Sequence, residues 1–97
     1  MARLTGTIEE VAEQAERLLR SLVPNAHCTA QEWDNRIDCM AWLPSGKEVV
    51  GEMISINDVT EERIRETAER LKKRQLGIDV PLVNELWEPI RLIKSEK

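Results

Sequence analysis

The apolar residues of this chain change their spacing twice, and that change limits the fold more than any motif does. From Ile8 to Leu22 the positions Ile8, Val11, Ala12, Ala15, Leu18, Leu19 and Leu22 recur three and four apart. That is one face of a helix. From Ala26 to Ile56 the period falls to about two, the pattern of strands with one buried face. From Thr60 onward a helical stripe returns, narrower, on Ile64, Ala68 and Leu71. The order is therefore α-β-β-β-α. At 97 residues the chain has room for one domain of this kind.

Local signals mark the helix ends. Thr7-Ile8-Glu9-Glu10 forms a capping box, in which the Thr7 hydroxyl accepts from the Glu10 amide and the Glu10 carboxylate reaches back. Pro24 ends this helix. Val59 and Ile64 bracket the second helix start as a hydrophobic staple, and Gly77 after Leu76 is a left-handed stop.

The strand segments Ala26 to Trp33 and Arg36 to Leu43 read as a hairpin turning at Asp34-Asn35. That turn sets Ala30 opposite Cys39, Cys28 opposite Ala41 and His27 opposite Trp42. One face then carries Ala26, Cys28, Ala30, Ile37, Cys39, Ala41 and Leu43, small and apolar. The other carries His27, Thr29, Gln31, Trp33, Asp38, Met40 and Trp42. A third strand over 47–56 follows Pro44-Ser45-Gly46, with Gly46 in the left-handed position of a three-residue loop. This register turns Val49, Gly51 and Met53 inward, and Glu48, Val50, Glu52 and Ile54 outward. A two-residue Ser45-Gly46 loop reverses the faces. The first register is preferred because the second drives Glu52 into the core beside Cys39.

The expected fold is α+β: a three-stranded antiparallel meander, two helices on one face, and an extended C-terminal segment. Residues 1–97 form one domain, with 78–97 as a docking or swapped segment. Within it, Pro81 to Trp87 has the spacing of two helical turns, and Ile90 to Ile93 that of an edge strand.

Composition removes several functions. No run approaches the roughly 18 apolar residues of a membrane span. The first residues, Met1 to Gly6, hold no apolar run of the signal-peptide type, so the expected address is the cytoplasm. Cys28 and Cys39 read as reduced core thiols, diagonal neighbours too far apart to bridge. His27 is the single histidine, and Cys28 beside it points to the opposite sheet face, so no nucleophile–base pair forms. Asp38, Glu48 and Glu52 lack a metal-ligand spacing and read as solvated charges. No enzyme, cofactor or metal is expected.

The element order is similar to that of double-stranded-RNA-binding domains, whose second helix presents lysines near its N-terminus. Here that helix opens Thr60-Glu61-Glu62-Arg63, and its cations Arg70, Lys72, Lys73 and Arg74 stand at the other end, where the helix dipole favours them. With a net charge of −4, nucleic-acid binding through these four is the second reading.

The first reading comes from the aromatics. The chain has three tryptophans and neither Phe nor Tyr. Trp33, Met40, Trp42 and Val50, with His27 beside them, fall on the outer sheet face, which polar residues should occupy. Trp87 lies in the tail. These residues make a protein-binding surface. The expected function is a non-enzymatic interaction module, a homodimer or an accessory protein, using the outer face and the C-terminal segment. A further alternative is an acidic inhibitor or accessory protein of phage or mobile-element type that fills a cationic site on its target.

Overall fold

In the computed structural model, residues 4–46 and 48–84 are described. The elements follow the changes of period: α1 (Ile8–Leu22), β1 (Ala26–Gln31), β2 (Arg36–Trp42), β3 (Val49–Ser55) and α2 (Glu61–Gln75), with single 3-10 turns at Glu32–Asp34 and Ile56–Asp58. The sheet is antiparallel in the order β1-β2-β3. Both helices pack on one of its faces, and no helix among the described residues is long and apolar enough to cross a membrane.

The helix ends form as the local residues dictate. Thr7 Oγ1 accepts from the Glu10 amide at 3.1 Å and Glu10 Oε1 accepts from the Thr7 amide at 2.8 Å, completing the capping box. Thr60 caps α2 by accepting from the Arg63 amide at 3.0 Å. At the far end the Gly77 amide donates to Arg74 O and the Ile78 amide to Lys73 O, a Schellman closure that needs the positive φ of 84° at Gly77.

Both hairpins differ from the expected registers, by different amounts. The first turn is a 3-10 turn, Glu32–Asp34, closed by Asn35 at φ 50°. It shortens β1, so Cys28 pairs with Cys39, His27 with Met40 and Ala30 with Ile37. The shift is two residues, an even number, so every side chain keeps its face. Trp33 leaves the sheet altogether and sits in the turn.

In the second hairpin the Leu43 amide donates to Glu48 O, so the connection is one residue longer than a three-residue loop. That odd shift inverts β3. Val50 faces Ala41, Glu52 faces Cys39 and Ile54 faces Ile37, all on the core side, while Val49, Gly51 and Met53 turn outward. The expected outward positions of Val50, Glu52 and Ile54 are thus corrected. Burying Glu52 is tolerated because α2 supplies donors for its carboxylate.

The core is aliphatic: Leu19, Ile37, Ile54, Ile64 and Leu71 fill it, with Ala12, Ala15, Ala26 and Ala41 allowing close approach of α1 to the sheet. Leu18, Leu22 and Leu82 pack at its rim. Gly51 is required by contact. A Cβ there would lie 2.5 Å from Cys39 O and 2.9 Å from Met40 Cγ. Past Gly77 the chain is irregular to a turn at Val83-Asn84, with Asn84 at φ 51°, so no helix begins over Pro81–Asn84. Trp87 and the expected strand at Ile90 to Ile93 lie outside the described residues.

Candidate functional site

The outer sheet face is less open than its sequence suggests. Met40 lies flat over Gly51 and is 5% exposed, Val49 is 2% exposed, and Asp38, 4% exposed, accepts from Arg36 Nε at 3.0 Å. Trp42 and His27 are half-buried. His27 pairs with Met40 rather than Trp42, and Arg20 Nη2 lies 3.1 Å from its Nδ1. Of the expected surface residues, Val50 is in the core, Met40 and Trp42 share the outer face, and Trp33 stands apart from them.

Trp33 is the exposed one, at 90%. Its turn is held from several sides. The Asn35 amide donates to Glu32 O, the Ile56 amide donates to Asn35 O at 2.8 Å, and Arg36 pairs with both Asp34 and Asp38. A rigid turn therefore presents an indole to solvent. Beside it runs an open hollow lined by Ala30, Gln31, Glu32 and Trp33, which meets at Ala30 a second hollow lined by Glu9, Ala12, Glu13, Glu16, Cys28 and Thr29. Together they follow the edge of β1 that no other described strand pairs, below α1. Part of that edge is already bonded: Arg20 Nε donates to Ala26 O at 2.9 Å and the Cys28 amide donates to Glu16 Oε1 at 2.9 Å.

The rim of this groove is acidic. A hydrogen bond that the protonated Glu9 carboxyl donates to Glu32 raises Glu9 above its ordinary carboxyl value, and the charges of Glu32 and Glu13 add to the effect. The sequence assigns a role to one glutamate of this helix, Glu10 in the capping box. The meeting of Glu9 with Glu32 left little signal in the sequence, because Glu32 is distant along the chain and the 3-10 turn brings it to Glu9.

The four expected nucleic-acid contacts are divided. Arg70 donates through Nε to Glu52 Oε2 at 2.6 Å and through Nη2 to Oε1 at 2.9 Å, a bidentate pair. Arg74 Nη1 donates to Val80 O at 2.8 Å and lies 3.6 Å from Asp79 Oδ1. Lys72 and Lys73 are exposed. The basic end of α2 is thus half structural. Glu52, with a fully buried side chain, also accepts from Thr67 Oγ1 at 2.8 Å, Arg63 Nη2 at 3.4 Å and the Val83 amide at 3.3 Å. Burial alone would raise its carboxyl. The hydrogen bonds from Arg70, Thr67 and Val83 outweigh that and lower it.

Cys28 and Cys39 are free thiols directly opposite one another, with the Cys28 Sγ donating to Cys39 Sγ at 3.2 Å, which corrects the diagonal placement. Among the described residues no group of three or more His, Cys, Asp or Glu is arranged to hold a metal ion. Comparison with protein-family models, with curated proteins and with solved structures gave no match to this chain.

Proposed function

We propose that this chain is a non-enzymatic protein-interaction domain of the cytoplasm that docks a basic partner at the tip of its first hairpin. The observation that carries this reading is Trp33, 90% exposed on a turn fixed by hydrogen bonds on both sides. An indole held rigid before binding loses little conformational entropy on contact, which is why tryptophan is common among binding hot spots. Glu9, Glu13, Glu32 and Asp34 beside it are exposed and select a surface rich in Lys or Arg. Arginine on that surface can also stack on the indole face. The reading joins the interaction module to the acidic-inhibitor alternative, and it moves the contact from the outer sheet face to the hairpin tip. Nucleic-acid binding has less support, because Arg70 and Arg74 are engaged within the fold.

The test compares wild type with Trp33→Ala and Glu32→Lys. Partners captured from the source cell are identified with wild type, then purified and titrated calorimetrically against all three proteins. The expected outcome is a loss of about 2 kcal/mol or more with Trp33→Ala, and a loss with Glu32→Lys that shrinks as salt rises. Light scattering of the chain alone decides whether the partner is a second copy. Equal affinity of wild type and Trp33→Ala would refute the proposal.

A further inference from the structure

The geometry points to Cys28 and Cys39 as a modification site: a buried dithiol that a small, uncharged peroxide closes into a cross-strand disulfide. Three observations support it. The residues are register partners on β1 and β2, and their sulfurs are 3.2 Å apart. The pair is also of the non-hydrogen-bonded kind. The Trp42 amide donates to Asn25 O, which makes 25/42 a bonded pair, and alternation along the ladder then leaves Cys28/Cys39 unbonded. The Cys28 amide confirms this by pointing away from β2 to Glu16. Pairs of that kind hold their Cα atoms about 4.5 Å apart, at the short end of the span a disulfide accepts. The bond can form without separating the strands, but under strain, and strained disulfides are the readily reduced ones.

The third observation is the approach. Cys28 lines the floor of the hollow whose rim carries Glu9, Glu13 and Glu16. That rim repels anionic oxidants such as glutathione disulfide and admits neutral hydrogen peroxide. The Cys28 thiol is pushed up by its hydrogen bond to Cys39 and by burial, so at rest it is protonated and slow to react. The chemistry balances. Peroxide transfers one oxygen to the Cys28 sulfur, giving a sulfenic acid and one water. The Cys39 sulfur then attacks the Cys28 sulfur, the S–O bond breaks, and the hydroxyl leaves as a second water with the Cys39 proton. Two thiols lose two protons and two electrons, and the peroxide is reduced to two waters.

The test uses the native wild-type chain, so it depends on no variant that has to fold. Protein is treated with hydrogen peroxide or, in parallel, glutathione disulfide at equal concentration, then denatured, alkylated and weighed. With peroxide the expected product is a single chain lighter by two hydrogens, carrying no alkyl group, and returned to two alkylatable thiols by dithiothreitol. Glutathione disulfide reacts several-fold more slowly. Two alkylated thiols after peroxide, a sulfinic acid on Cys28 without an S–S bond, a disulfide between chains, or faster reaction with glutathione disulfide each overturns the proposal.

Discussion

Two carboxylate sites in this molecule have opposite surroundings. Glu52 is enclosed and every oxygen has a donor, from Arg70, Arg63, Thr67 and the Val83 amide. Glu9 and Glu32 are exposed and face each other. The first carboxyl is lowered and the second raised, although burial by itself would have ordered them the other way. Neighbouring groups, more than depth, decide the direction in which each carboxyl moves.

The largest way to break that contrast is Arg70→Met. It leaves Glu52 buried with its strongest donor gone, and the expected cost is about 3 kcal/mol or more, measured by urea unfolding at neutral pH. Out of the roughly 5–15 kcal/mol typical of a domain this size, that is a severe loss. Glu52→Gln is next, at about 2 kcal/mol at pH 7, because an amide offers Arg70 a weaker acceptor. Its pH dependence is the sharper result. A lowered carboxyl stabilises the fold above its unfolded pKa of about 4.3, and that contribution disappears as pH falls through the lower folded value. Wild type therefore loses stability in acid faster than Glu52→Gln, and the two unfolding curves converge toward low pH. The smallest effect is at the tip. A raised carboxyl contributes stability at low pH that is lost as pH rises through its folded value. Glu32→Gln removes the repulsion, so its melting temperature exceeds wild type at pH 7 and matches it at pH 3.

The sequence made the helices legible because their signals are local. Thr7 with Glu10, Thr60 and Gly77 each act within a few residues, and each behaves in the structure as its spacing implies. The sheet order and the inward face of β1 and β2 were legible from alternation. Register was not, because it depends on loop geometry. Asp34-Asn35 resembles a two-residue turn, yet Glu32 to Asp34 wind into a 3-10 turn first. At β3 the reasoning failed on one residue. A lone glutamate argued against an inward face, and the side chains that make Glu52 acceptable are on α2, 11 to 18 residues away, joined by the Val83 amide 31 residues on. A usable signal did exist: Arg63, Thr67, Arg70 and Arg74 follow helical spacing beside the narrow apolar stripe of Ile64, Ala68 and Leu71. Of the candidate site, Trp33 was legible as unusual but not as a turn residue.

The side chain of Gln75, at the last turn of α2, has its own consequence. Its amide nitrogen donates to Pro24 O at 2.8 Å and to Trp42 O at 2.9 Å, closing separations of 51 and 33 residues. The apolar face of α1 likewise rests partly on α2, made late in the chain. During synthesis the first helix therefore emerges long before the element that completes its burial. The meander can pair as it appears, but these clasps close only once the second helix is whole. Assembly of this fold ends where its two helices meet, and a chain stopped before Gln75 stays unfastened.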